Sequence, residues 1–506
     1  MVSLTRARQQ QAQAPNNNAS ADIESQSSLV LKVTDAQAET NAVTTRGRAF
    51  RVVLLIATGL YIPLYVGALF GFGPLQVSLE ESGAFASECD EGDELPCKAQ
   101  SQMLLTVKLS AQLTVLSLPL LGQAMDRYGP EKMIHLLFWF GVVGFSLLTV
   151  SISQSIDVML FPAFIFIGFL TSFGSMFMVQ TGLVFPPGRS RNRTISCLTM
   201  LFDVGGLTYL GLKLIENRTS LDLTAVIGLY FGGFILIVGV AIHAWRNVKM
   251  NMEDFDDARR NDDEPKHSEE EHTCECSSLV KDAEDEQIDV SYVLIAKRSP
   301  KEQLLSSQFI SLAVFYGFHF ARNSWVLSTT RDFLASLGDD EVGNKYLQIF
   351  TLMTPVSILG LPFVDIALAK YGFGAGLAVV SALGLLQGIV QVSSDNLNVQ
   401  IIGFLFFSFY RSFLFSVTFS SLPAFLADQV VGKGYGCLAF VAGAISFINI
   451  PLANAVTTSL EGNFFVPNLV YTVLCVPCAY LAWRVHTGFK REDMTRRRNK
   501  LCCVYH

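Results

Sequence analysis

Long apolar runs separated by short polar breaks dominate this chain. A run of about 18 or more apolar residues is long enough to cross the roughly 30 Å hydrocarbon layer as a helix. Twelve such runs occur, near 52–77, 103–124, 133–152, 158–181, 195–215, 223–245, 309–327, 346–364, 373–392, 399–422, 435–457 and 466–483. The pattern predicts an all-α integral membrane protein with twelve transmembrane helices. Composition points the same way. Of 506 residues only 16% are charged and 50% are hydrophobic, with 39 phenylalanines, too little polar surface for a soluble chain of several domains.

The polar breaks divide the runs into two sets of six. Residues 1–50 are expected to be a disordered cytosolic tail, because they are polar and carry no signal-peptide core or cleavage site. Residues 51–246 then form a first six-helix bundle and 306–485 a second. Between them, 247–305 reads as an acidic disordered linker. The stretch from Glu253 to Asp289 holds sixteen acidic and four basic residues, so the formal net charge of −7 belongs to the linker and the rest of the chain is basic. Residues 486–506 form a basic tail. Two six-helix halves joined by a tether are the organisation expected of bundles that rock about a central site.

Sidedness comes from the basic residues beside the runs. Arg46, Arg48 and Arg51, then Arg127 and Lys132, then Arg189, Arg191 and Arg193, and finally "KREDMTRRRNK" fall on one side. Both termini are therefore expected in the cytosol. No sorting signal stands out; the plasma membrane is the expected location, with a vacuolar or lysosomal membrane as the alternative.

The second break reads "GQAMDRYGPEK". It resembles the signature of the major facilitator superfamily, G-x-x-x-D-R-x-G-x-[RK]-[RK], at Gly122, Asp126, Arg127, Gly129 and Lys132, while Pro130 and Glu131 depart from it. The resemblance implies that superfamily's fold, with a latch that closes the cytosolic side against the start of the eleventh helix, here "GKGYGCLAF". A glycine permits close helix approach, and Asp126 complements the positive end of a helix. A blurred copy, "GLPFVDIALAKYG", follows the eighth run, with Gly360, Asp365, Lys370 and Gly372 spaced more widely.

A narrower resemblance joins "GALFGFGPLQVSLEESGAFASEC", "GLKLI", "FYRSFLFSV" and "HFARNSWVLS" to the solute-carrier 43 family. That likeness implies sodium-independent facilitated transport of large neutral amino acids. The expected partners are this small solute and the lipid bilayer, with no cofactor and no nucleic acid, and the expected oligomeric state is a monomer.

Ionisable groups inside the hydrocarbon layer are functional candidates by cost alone. Arg411, near the middle of the tenth run, is placed to clamp a carboxylate bidentately or to pair within the bundle. Arg322 and Asn323 in the seventh run are further substrate candidates, and His319 beside them reads as a packing residue. Gly71, Phe72 and Gly73, followed by Pro74, are expected to loosen the first helix so that its backbone amides face substrate, or simply to kink it. Tyr65 is a candidate for the apolar wall, with Tyr61, Tyr316, Trp325 and Tyr410. Asp203 in the fifth run is a possible proton site, the rival being a salt bridge to an arginine of the other half; Lys213 lies on the same run.

Cys89 and Cys97 are expected outside the cytosol, as a disulfide or as two free thiols. Asn217 is the sequon expected on that side and a possible glycosylation site. The linker string "HSEEEHTCEC" lacks standard zinc spacing. There is no G-x-x-x-x-G-K-[ST] loop for nucleotide phosphates and no H-E-x-x-H set, so neither a primary pump nor a metalloenzyme is expected. The chain reads as a transporter working by alternating access, by facilitated diffusion or with proton coupling. The alternatives are a carrier of another small organic solute and a non-transporting nutrient receptor on the same scaffold.

Overall fold

The computed structural model describes residues 47–90, 97–219, 221–262, 293–460 and 462–504. The expected disordered tail lies almost wholly outside these, as do the middle of the linker and its "HSEEEHTCEC" string. The described chain is helical, with no strand among the described residues. Twelve helices can be followed: α1 (Gly47–Glu81), α2 (98–128), α3 (130–154), α4 (Asp157–Leu183), α5 (Arg189–Arg218), α6 (Leu223–Asp262), α7 (Ser307–Ser336), α8 (345–371), α9 (Gly372–Ser393), α10 (Leu397–Phe425), α11 (Asp428–Val456) and α12 (Phe465–Val504).

Two pairs run on almost without a loop. Gly129 (φ 77°, ψ 161°) separates α2 from α3, and Gly372 (φ 80°) separates α8 from α9. A left-handed φ of this size favours glycine, so one residue turns the chain back in each half. The helix α7 is the least apolar crossing, because it carries His319, Arg322, Asn323, Arg331 and Asp332.

The outer surface is that of a membrane protein. Leu120 is 73% exposed, Leu236 70% and Val476 60%; contiguous surface of this kind is stable against acyl chains rather than water. Among the described residues two units separate: 53–246 with 293–504 form one, and 47–52 with 247–262 fall in the other. Every contact discussed below lies within the first.

The ends of the linker differ from the expected disorder. The helix α6 continues past its apolar part, Leu223–Val248, to Asp262. On the other side of the linker, Ser299 and Glu302 form a capping box at the start of Pro300–Leu304, and buried Ile295 donates its N–H to Glu492 Oε1 at 2.9 Å. High charge density disfavours a core, yet Glu, Lys, Arg and Met extend a helix already nucleated by a membrane span. For the same reason the basic tail expected over 486–506 is a continuation of α12, to Val504.

Candidate functional site

Small residues let the two halves meet closely at one end. A Cβ on Gly122 of α2 would run into the Gly432 carbonyl of α11, and one on Gly432 into Asp126. In that space Asp126 accepts the backbone N–H groups of Gly432 (2.8 Å) and Lys433 (2.7 Å), which belong to the first turn of a helix, Val431–Ser446. Those donors have no partner inside their own helix, and a carboxylate there complements the helix dipole. Burial pushes the Asp126 carboxyl up to about 6, against the opposing pull of the two N–H groups and the Lys433 charge. Arg127 and Lys132 stay exposed, and Gly129 makes the turn.

The second half closes the same end differently. Asp365 meets Arg189 at the start of α5, 2.8 Å from Nη2. This guanidinium holds the Asp365 carboxyl below its ordinary value. Between these contacts Arg191 Nη1 reaches Asp428 Oδ1 at 3.0 Å, and the Ser420 hydroxyl lies 3.4 Å from the Asn192 carbonyl. At the other end, Glu81 and Glu216 bind Lys213, and the Trp325 indole donates to Asn468 (2.9 Å), each tying helices of one half together. Lys213 thus belongs to an α1–α5 ion-pair cluster rather than to a substrate site.

At mid-level the halves share one buried ion pair. Arg411 Nη2 of α10 lies 2.7 Å from Asp203 Oδ1 of α5, with side chains 3% and 1% exposed. Phe70, Phe407 and Phe415 rings stand 5.7, 5.9 and 5.8 Å from the guanidinium carbon. Phe202 packs edge-on to Phe70 at 5.0 Å and Phe415 packs against Tyr316 at 6.2 Å, so aromatic rings from α1, α5, α7 and α10 surround the pair. Asp203 Oδ2 and Arg411 Nε have no hydrogen-bond partner among the described residues. The pair is therefore half-satisfied, which in a low-dielectric interior is costly.

Other expected site residues are placed elsewhere. Tyr65 turns into the first half, donating its hydroxyl to the Tyr230 carbonyl (3.0 Å) among Phe145, Tyr230 and Phe234, so it forms no wall around the pair. Phe72 is buried edge-on to Phe164, and Gly73 is exposed with nothing close to it. Gly71 is a contact rather than an opening: a Cβ there would strike the Gly206 carbonyl of α5. Irregular winding does occur in α1, but earlier, as a π turn over Ile62–Val66 and a 3-10 turn over Ala68–Gly71.

Arg322 lies inside the second half, donating to the Gly384 carbonyl (2.6 Å) and the Gln387 amide oxygen, with its guanidinium 5.1 Å from the Tyr410 ring. Asn323 is fully buried, and neither of its amide atoms has a partner among the described residues; it lies one helical step from Arg322 and two turns beyond Tyr316 on the same face. His319 is a packing residue. The Tyr410 hydroxyl donates to the His319 carbonyl (2.7 Å), so His319 Nδ1–H donates to that hydroxyl oxygen (3.1 Å).

A family model for the Major Facilitator Superfamily matches residues 98–451. The chain belongs to the Major Facilitator Superfamily. Its fold is similar to that of the proton:xylose symporter XylE bound to 6-bromo-6-deoxy-D-glucose, at 13% identity over 87% of this chain and 96% of that one, TM-score 0.56. A double-tryptophan variant of XylE gives 14% identity, 89% and 99% coverage and a TM-score of 0.60. The human organic anion transporter MFSD10 gives 14%, 88% and 98%, with a TM-score of 0.49. No curated protein matches the sequence. The protein is thus a multi-pass membrane transporter of this superfamily, with two six-helix bundles.

In this superfamily member the contacts between bundles named above lie at the latch end and at mid-level, so the bundles are drawn together at that end. The inner part of α5, Arg189–Val204, packs on α8 and α10, whereas its outer part, Thr208–Arg218, packs chiefly on α1. Residues missed in the sequence belong to this geometry. Lys108 of α2, half-buried with its ammonium 5.7 Å from the Phe72 ring, was legible as a charge within an apolar run. Phe70, Phe202 and Phe415 carried no such signal, being three among 39 phenylalanines. Cys89 and Cys97 are joined as a disulfide, and Asn217 is exposed near the end of α5.

Proposed function

We propose that this transporter carries large neutral amino acids by alternating access, as a facilitated-diffusion monomer. One observation carries the reading: the buried Asp203–Arg411 pair that bridges the two halves inside an aromatic enclosure. A zwitterion presents a carboxylate to Arg411 and an ammonium to Asp203, so it replaces each buried charge's partner without leaving either uncompensated. Its apolar side chain meets the rings, and Asn323 offers a free donor and acceptor. The resemblance to the solute-carrier 43 family supports the same substrate class.

The latch end is then cytosolic together with both termini, and Cys89, Cys97 and a glycosylated Asn217 face outward at the plasma membrane. A vacuolar or lysosomal membrane would exchange the outer medium for a lumen. A second reading, proton coupling, is favoured by the unpartnered Asp203 Oδ2.

Counterflow in proteoliposomes tests the substrate. Labelled leucine or phenylalanine should exchange, with unlabelled phenylalanine competing and xylose inert. Arg411→Lys should lower exchange by about tenfold or more, since a point charge replaces a planar fork. The paired change Asp203→Asn with Arg411→Gln should fold yet fail to exchange. Xylose or an organic anion counterflowing in place of amino acids would transfer the site to another solute; no exchange of any solute would favour a receptor.

A further inference from the structure

A groove of roughly 820 Å³ runs between α1 and α5 near the latch end. Its apolar floor includes Leu55, Ile56 and Leu60 of α1 and Leu201 of α5. Ile56 is 57% and Leu60 47% exposed, so the groove opens sideways toward acyl chains, apart from the buried ion pair. Its rim is the first two turns of α5, which bring Arg189 and Arg193 to the same side, four residues apart. Arg191, between them, points inward to Asp428.

The rim carries surplus positive charge. Asp365 is bound by Arg189, and the Arg193 charge acts on the same carboxylate. Arg193 itself is exposed and makes no hydrogen bond or ion pair among the described residues. Two guanidinium groups thus face one carboxylate above an apolar trough at the depth where a membrane helix begins. We propose that this groove binds an anionic phospholipid, its phosphate on Arg193 and Arg189 and an acyl chain along Ile56 and Leu60. Guanidinium groups suit phosphate oxygens, and basic residues at a membrane surface attract anionic lipid. Because Arg189 also ties α5 to Asp365 across the halves, a bound phosphate competes with that tie. The lipid therefore weakens one arm of the latch.

Native mass spectrometry of the full chain, released from vesicles of equal parts palmitoyl-oleoyl phosphatidylglycerol and phosphatidylcholine, tests this independently of the transported solute. The wild type should retain phosphatidylglycerol about fivefold or more over phosphatidylcholine. Arg193→Gln should bring the two level, while Arg331→Gln, an exposed arginine at the other end, should leave the preference intact. Leu60→Trp fills the floor without changing charge and should also reduce retention. Equal retention of both lipids by the wild type would overturn the proposal, as would an unchanged preference in both Arg193→Gln and Leu60→Trp. Displacement of the lipid by millimolar inorganic phosphate would do the same, making the rim a free-anion site.

Discussion

Gly122, Gly432 and Asp126 occupy space that admits no further atom: the Cβ of an alanine at 122 would also lie 3.2 Å from the Lys433 Cα. Gly122→Ala should therefore part α2 from α11, and Asp126→Ala should leave two N–H groups without their acceptor, at about 1–3 kcal/mol. Cysteines placed at the latch end should become more reactive in both variants. The effect also depends on pH. Burial raises the Asp126 carboxyl to about 6 in the latched state, above the ~3.9 of a solvated aspartate. A raised value means that the latched state takes up a proton, so this contribution is full below the ordinary value and fades as pH rises through about 6. Acidifying the latch side from pH 7 to 5 should slow labelling of a latch-end cysteine more than that of an exposed reference cysteine, whose slowing reports only the thiol's own titration, and Asp126→Asn should remove the difference. These residues were legible because the backbone demands, no Cβ at 122 and φ > 0 at 129, are written in residue type. The partners Arg191 and Asp428 lie 237 positions apart, and no local pattern joins them.

At the scale of elements, α1 shows what a kink signal in sequence does and does not locate. The Gly-Phe-Gly-Pro stretch suggests a break at 71–74, but Pro74 falls in the first turn of Phe72–Glu81, where a missing N–H costs nothing. Pro63 sits further back, where the missing donor leaves the chain in a π turn; its carbonyl takes the Thr208 hydroxyl at 2.9 Å. What Gly71 shares with Gly67 is contact with α5: a Cβ on Gly205 would lie 2.6 Å from the Gly67 Cα. That contact sets the height of Phe202 and Asp203, which immediately precede Val204 and Gly205. Gly205→Ala should push α5 from α1, with a stability loss of about 1–3 kcal/mol and a loss of counterflow. Gly73→Ala, with nothing within 4 Å, should be neutral in both assays. If the two variants behaved alike, helix contact would not be the role of the α1 glycines.

Across the whole molecule the two halves repeat one device with different chemistry. Each has a positive-φ glycine after its second helix, Gly129 and Gly372, and an aspartate before it that meets the start of a helix in the opposite half. Asp126 takes backbone N–H groups of α11, whereas Asp365 takes the Arg189 side chain of α5. The extra residues of the second copy are absorbed by a π turn over Ala367–Tyr371, so the repeat is blurred in sequence and retained in backbone. The same scale decides what Asp203 does. Both reading routes open in the sequence, a proton site and a salt bridge, use one atom set, because the carboxylate that binds Arg411 is also the buried acid between the halves. If Asp203 only neutralises Arg411, an imposed proton gradient should leave uptake unchanged in the wild type, and Asp203→Asn should alter exchange at every pH alike. If it carries a proton, the gradient should drive accumulation in the wild type, while Asp203→Asn should retain exchange and lose accumulation. The buried bridge favours the first outcome, since protonating Asp203 strands Arg411 without a counter-charge unless a substrate carboxylate arrives with the proton.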